Sequence, residues 1–452
     1  MGRKPSIPEA DEYPQLREVA NPTLLAKGIT PSLGAPFRTG GLRIGKCKIK
    51  RVYYKPGPEG NCRLHFRVRI EDPERGEAGE QTFFAQLWPK AVIEERYALA
   101  QARKLRVPEF GEPVVLIPEW NMILWAYPND PRLLGLADLS DPETVLGLIQ
   151  ENPTAFGLPT FRRPQSIRGQ ITKYVPSQRC GSLFELKLDD GAETGHVVYG
   201  KAYRKVAGPR AFDIAQKIYA SEPAQRGDLI LPEPFSYDSE RHIFWQGALE
   251  GRPLAKAGAG DCLPDISEEV GHRLAFFHAA EIDLPVRRTL DSQLRDLTKS
   301  VEAITSTFPE FEERVGALHR RLVERVTTLG AEPRTPVHGS FKFSHVFLNK
   351  GRVAFIDFDG ATLGDPTYDV GRFIAHVTEM KTSLKMPPEL ADDAIARFVS
   401  GYNGNAATPL EGKRIRWYAS SLVLSSQVYK AVKRFDPGLI GKLLDQAEAL
   451  SD

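Results

Sequence analysis

The sequence predicts an α+β protein in which a β-rich unit occurs twice and is followed by a mainly helical region. Three observations lead to that class. Two blocks about a hundred residues apart alternate apolar and polar residues with the period of a half-buried strand. From Ile266 the apolar spacing becomes helical. Near residue 340 the helical pattern is interrupted by a loop, two short apolar runs and a tight turn between them.

Length and composition bound the rest. A chain of 452 residues is too long for one ordinary core and implies two or three domains. Its 41% hydrophobic and 26% charged content is that of a globular protein. A net charge of +2 gives no global footprint for nucleic acid or a membrane surface. No run approaches the roughly 20 apolar residues of a membrane span. Four widely spaced cysteines (Cys47, Cys62, Cys180, Cys262) argue against a zinc site and a disulfide scaffold. The polar, Pro-containing start lacks an apolar signal core, so a cytoplasmic protein is expected.

In order along the chain, residues 1–45 are rich in Pro, Gly and charge and are expected to be a flexible leader. The first β-rich copy spans 46–150 and the second 165–255. Val52-Tyr53-Tyr54 runs on to the alternating Asn61–Ile70 in one; Lys173-Tyr174-Val175 runs on to Arg179–Leu188 in the other. Each then has a third strand, Thr82–Trp88 or His196–Tyr203, and a helix-like stretch, Ala91–Ala102 or Arg210–Ala220. Leu116-Ile117-Pro118-Glu119 with Ile123-Leu124-Trp125 answers Ile230-Leu231-Pro232-Glu233 with Ile243-Phe244-Trp245. Asp130-Pro131-Arg132-Leu133 answers Gly251-Arg252-Pro253-Leu254. Matched order with Cys, Pro-Glu and Trp in register reads as a duplication.

The helical region spans 256–452. Ile266, Val270, Leu274 and Phe277 form a core-facing stripe. Leu294–Leu329 reads as a helix or helical pair broken at Phe308-Pro309; Tyr368–Thr378, Pro388–Gly401, Gly412–Phe435 and Gly438–Leu450 are also helix-like.

The interrupting segment is Val337-His338-Gly339-Ser340-Phe341-Lys342-Phe343-Ser344-His345, followed by Ile356-Asp357-Phe358-Asp359 and Gly364-Asp365-Pro366 with Asp369. It resembles the catalytic centre of the aminoglycoside phosphotransferase family, small-molecule kinases that share the protein-kinase fold. The resemblance implies a bilobal fold with a β-rich N-lobe and a helical C-lobe; the repeat then makes the N-lobe plan occur twice. The family's catalytic Asp falls on Ser340 and its metal-binding Asn on His345; its metal-binding Asp is present as Asp357.

The resemblance also implies ATP and Mg²⁺ as cofactors. Lys201 on the second copy's third strand falls where the phosphate-binding lysine stands, whereas the first copy has Gln86, which cannot balance phosphate charge. Lys201 could equally face solvent. Asp213 is the candidate helix carboxylate for Lys201, and Gln246 and Ala248 fall on the hinge that meets adenine. One glycine, Gly181, follows the turn Val175–Cys180, whose backbone N–H groups and Ser177 could donate to phosphate. Asp357, with Asp359 on the same side if the chain stays extended, would bind metal. His345 offers nitrogen, which suits zinc or manganese better. Lys342 would contact the transferred phosphate, with Asp359 as a substitute base. Asp365 and Asp369 are expected to be structural.

Two functions stay open. One is an ATP-dependent phosphotransferase acting on a small-molecule hydroxyl with an altered catalytic loop. The other is a catalytically inactive pseudokinase, a nucleotide-binding or scaffold module with a protein partner. A strict aminoglycoside-resistance enzyme is a third; its polycationic substrate would need carboxylates, such as Glu268 and Glu269, around the acceptor.

Overall fold

The computed structural model describes residues 13–55, 61–188, 196–256 and 262–451; residues 1–12 of the expected leader lie outside them. The chain divides into two compact units, Met1–Pro209 with Phe235–Trp245 and Arg210–Pro234 with Gln246–Asp452. Both β-rich copies thus contribute their sheets to the first unit, and the second copy's chain divides at Pro209 and again at Trp245.

The first unit holds two five-stranded sheets with one plan. Strands β1 (Arg43–Lys55), β2 (Asn61–Asp72), β3 (Glu77–Leu87), β4 (Val114–Ile117) and β5 (Met122–Ala126) lie in the order β1-β2-β3-β5-β4. Strands β6 (Pro164–Val175), β7 (Arg179–Leu188), β8 (His196–Tyr203), β9 (Pro234–Asp238) and β10 (Ile243–Gly247) repeat it as β6-β7-β8-β10-β9. The registers match as well. Cys62 pairs with Tyr54 and Leu87; Cys180 pairs with Tyr174 and Ala202. Gln86 and Lys201, one residue before those partners, therefore hold the same place in the two sheets.

Alternation explains the pairing. Cys62, Leu64, Phe66, Val68 and Ile70 of β2 are all fully buried, with Arg63, His65, Arg67 and Arg69 on the other face. Burial of each larger side chain stabilises by about 1.5–3 kcal/mol, and a one-residue slip would expose the whole set.

From Tyr13 onward the leader contains packed helices. Pro22–Ile29 is a helix whose N-cap, Asn21, accepts the N–H of Thr23 (3.0 Å) and Leu24 (3.3 Å). Leu16, Val19, Leu25, Ile29 and Leu33 are buried, and Trp120 Nε1 donates to Glu18 at 2.9 Å. The proline and glycine that suggested a loop have other causes. Pro22 is the first helical residue, where no N–H is missed. Gly28 sits against Trp120, where a Cβ would lie 2.1 Å from the ring.

In the second unit the Leu263–Ala279 and Pro388–Asn405 helices cross closely at two glycines. A Cβ on Gly271 would lie 2.1 Å from the Phe398 carbonyl oxygen, and one on Gly401 2.1 Å from that of Glu268. The expected helical pair is Leu290–Thr307 and Glu312–Arg325, separated by the Pro309–Phe311 turn. The expected Gly412–Phe435 helix is instead α-helical to Leu422, π-helical over Val423–Val428 and α-helical again from Tyr429 to Val432. The wider turn offers groups to the neighbouring helix: Ser300 Oγ donates to the Ser425 carbonyl at 3.1 Å, and Gln293 Nε2 to Ser425 Oγ at 3.2 Å. Phe341, Phe343, Phe355 and Phe373 form the core beneath the loop around residue 340, with Phe373 stacked on Phe398 at 4.0 Å. No helix among the described residues is long and apolar enough to cross a membrane.

Candidate active site

The loop after Val337 is held from behind. Gly339 has φ 71°, and a Cβ there would lie 2.3 Å from the Gly360 carbonyl oxygen, so glycine is required. The Asp369 carboxylate accepts the N–H of Gly339 at 3.0 Å and that of His338, and lies 3.2 Å from His278 Nε2. Burial works to raise the Asp369 pKa, but hydrogen bonding and charge from His278 and His338 bring it below the usual carboxylate value. Asp365 is fully buried and accepts the Thr367 N–H (2.9 Å) and Arg414 Nε (2.7 Å). Both carboxylates support the loop and the following helix.

Within the loop His338 and Ser340 meet. His338 Nε2 lies 2.9 Å from the Ile356 carbonyl oxygen, which can only accept, so Nε2 carries the proton. Nδ1 is then left to accept from Ser340 Oγ at 3.3 Å. Burial lowers the His338 pKa and keeps the ring neutral near neutral pH, with the Asp369 and Asp357 charges opposing it in part.

His345 and Asp357 also meet, with Nε2 3.3 Å from Oδ2 and the His345 ring stacked 5.3 Å from that of His338. Asp357 is not extended: it adopts φ 69°, ψ 44°, and Phe358–Gly360 forms a 3₁₀ turn. The premise that placed Asp359 on the same side as Asp357 therefore fails, and Asp359 sits half-buried within that turn. A non-glycine residue at such a φ is uncommon and concentrates at functional sites. Lys342 is half-buried at the start of the Phe343–His345 turn.

No cluster of three or more His, Cys, Asp or Glu among the described residues forms a metal cage. One carboxylate beside an imidazole fits a divalent ion whose other ligands come from phosphate and water.

In the first unit Lys201 is half-buried on β8, opposite Gly181. In the second unit, Gln246 is buried, Ala248 is half-buried and Gly247 N donates to the Glu233 carbonyl at 2.8 Å. Asp213, expected as the helix carboxylate, lies on the Ala207–Tyr219 helix. Its side chain is 60% exposed and paired with Lys217 one turn on, at 3.2 Å, because that face of the Ala207–Tyr219 helix is solvated.

The turn expected to cover phosphate is already taken. Asp130 is buried; its Oδ2 accepts the Ser177 N–H at 2.7 Å and Tyr174 Oη at 2.8 Å. Oδ1 accepts the N–H of Arg132 (2.8 Å) and Leu133 (3.2 Å). Burial pushes the Asp130 carboxyl pKa up despite these bonds. Ser177 Oγ is buried without a hydrogen-bond partner among the described residues. The first copy thus places an acid on the second copy's turn. Sequence reasoning missed this role, and the available signal was Asp130 standing where the second copy has Gly251.

Residues 202–405 match the model of the phosphotransferase enzyme family (APH), a stretch running from the end of β8 through the His338–His345 loop and Asp357 to the Pro388–Asn405 helix. The resemblance carried by the loop therefore extends over that stretch. The chain itself is α+β, with two β-rich sheets in the first unit and a mainly helical second unit. No curated protein matches. Among solved structures, an aminoglycoside phosphotransferase, APH(3'')-Id, of Streptomyces rimosus is 18% identical, with 63% of this chain and 98% of that chain covered and a TM-score of 0.41. A choline kinase of Streptococcus pneumoniae is 13% identical, covering 68% and 98%, at 0.43. The aminoglycoside phosphotransferase APH(4)-Ia, solved with ADP and hygromycin B, is 16% identical, covering 68% and 96%, at 0.47.

Proposed function

We propose that the chain is an ATP-dependent phosphotransferase acting on a small-molecule hydroxyl, with a Ser340–His338 pair in place of a carboxylate base. The observation that carries this reading is the 3.3 Å contact from Ser340 Oγ to the Nδ1 of a neutral His338. The acceptor's hydroxyl proton passes to Ser340 Oγ as that residue's own proton passes to His338 Nδ1. The acceptor oxygen bonds to the γ-phosphorus, and the bond from that phosphorus to the bridging oxygen breaks, leaving ADP. The negative charges of Asp369 and Asp357 favour the transient imidazolium.

Lys201 holds the α/β-phosphates, Lys342 the transferred phosphate, and Gln246 and Ala248 border the adenine. Asp357, with His345 beside it and Asp359 close in sequence, holds the divalent ion, which when bound neutralises phosphate charge. Nitrogen from His345 shifts the preference from magnesium toward manganese or zinc. The cytoplasm, where ATP is abundant, is the corresponding compartment.

Ser340→Ala should lower turnover by about 10²–10⁴-fold while ATP still stabilises the protein. Unchanged turnover in that variant would remove the relay. The Asp130 carboxylate on the Ser177 turn favours a second reading, a pseudokinase serving as a scaffold for a protein partner. That reading predicts no turnover with any acceptor and little stabilisation by ATP with magnesium or manganese.

A further inference from the structure

The second unit contains a cavity of about 300 Å³, walled by the Leu290–Thr307 helix, the Thr367–Thr382 helix and the π-helical turn Val423–Val428. Its charge is one-sided. Arg288, Lys299 and Arg372 line it, against a single carboxylate, Asp296, which pairs with Arg288 at 3.1 Å. The two arginines are preorganised on one buried ring. Arg288 lies over Tyr368 at 5.0 Å from the centroid and Arg372 at 5.7 Å, and Arg372 Nη1 donates to Tyr368 Oη at 3.2 Å. No carboxylate among the described residues pairs with Arg372 or Lys299. Ser425, Ser426 and Tyr429 add hydroxyls from the π-helical side.

The positive field extends past the cavity wall. Lys430, next to Tyr429, is half-buried, and its pKa is pushed down to about 7, first by desolvation and then by Arg372 and Lys342. Glu379 opposes this, but its carboxylate is engaged by Lys385 at 2.8 Å. Arg372 thus serves the cavity while acting on the same lysine as Lys342 of the catalytic loop. Such a surplus of fixed positive charge repels a polyamine and attracts an oxyanion.

We propose that this cavity binds the carboxylate or phosphate of a small organic acid, held by Arg288, Arg372 and Lys299, and that this acid is the phosphoryl acceptor. The binding stands on the cavity alone; the word acceptor rests on the phosphotransferase reading. A volume near the lower end of ligand pockets fits a metabolite-sized molecule. The acidic depression around Asp265, Glu268 and Glu269 is not its counterpart, since Arg397 and Arg273 already pair with Glu268 and Glu269.

The test is calorimetric titration of the full chain, without nucleotide and at low ionic strength, with inorganic phosphate, succinate and spermidine in turn. Phosphate or succinate should bind and spermidine should not; the tighter of the two anions identifies the acid group. Lys299→Gln changes an exposed helix residue and should weaken anion binding by about tenfold; Arg372→Gln should weaken it more. Lys381→Gln, which removes an exposed pair with Asp392 elsewhere on the unit, should leave it unchanged. Anion binding unaffected by Lys299→Gln, absent altogether, or weaker than that of spermidine overturns the proposal. Lys201→Ala separates the two readings. It should abolish stabilisation by ATP without touching succinate binding, so loss of one leaves the other standing.

Discussion

The two β-rich copies share strand order, register and a buried cysteine at the same crossing, yet they differ where charge would matter. The first carries Gln86 on its third strand and His65 on its second; the second carries Lys201 and Leu183 at those places. The buried face of each sheet is largely apolar in both, so both fold alike. The difference teaches that strand pairing follows the alternating pattern as a whole, whereas under the proposed function phosphate binding would turn on one side chain. The first copy also contributes Asp130, which holds the second copy's turn.

The largest expected effect that sharpens this contrast is acid sensitivity. His65 has its pKa pushed down to about 4, first by burial and then by Arg51, Lys50 and Arg67. The unfolded chain binds a proton near pH 6.5 and the folded one does not until about pH 4. Stability is thus full above 6.5 and lost as pH falls toward 4, by on the order of 3 kcal/mol. His65→Leu makes the first copy resemble the second and should retain that amount at pH 4, read as urea midpoints at pH 7 and pH 4. An identical midpoint shift in wild type and variant would show that this ring does not set the acid limit.

Next in size is the exchange of Lys201 and Gln86. Lys201→Gln should weaken ATP binding by about ten- to a hundredfold, the worth of a charge-assisted contact to phosphate. Gln86→Lys should add no nucleotide site, because the phosphotransferase family match takes in part of the second copy and none of the first. A nucleotide response that follows Gln86 and ignores Lys201 would reverse the roles of the two copies.

The smallest effect concerns the turn. Asp130→Asn keeps the side chain's shape but sets an amide against the Ser177 N–H, and should cost about 1–2 kcal/mol of stability in thermal melts. It should also tighten ATP binding if phosphate competes for that N–H. Weaker ATP binding with unchanged stability would mean that Asp130 supports the nucleotide rather than excluding it.

Much of the fold was legible because its signals are local. The alternation of Cys62 to Ile70, the stripe Ile266–Val270–Leu274–Phe277 and the break at Phe308-Pro309 each lie within a few turns of chain and appear as expected. The helix in the leader was not legible, because Pro22 and Gly28 carry the same letters in a loop, at a helix start and against an indole. The site was legible in part. Ser340, Lys342, His345 and Asp357 lie in one short stretch, and the structure pairs the first with His338 and the last two of them with each other. That Asp213 pairs with Lys217 was not legible, because sequence spacing places a carboxylate on a helix without saying which way the helix faces.

By itself, the sequence determined where the strands of both sheets and most of the long helices form, which copy bears the lysine, and that a carboxylate follows the histidine-glycine loop. Periodicity and turn chemistry are properties of neighbouring residues, so they can be read without coordinates. Only the tertiary structure decided that Asp130 caps a turn 47 residues away, that Asp369 grips the His338 backbone 31 residues away, and that Arg288 and Arg372 share the ring of Tyr368. Those pairings depend on which segments packing brings together, and no local pattern along the chain encodes them.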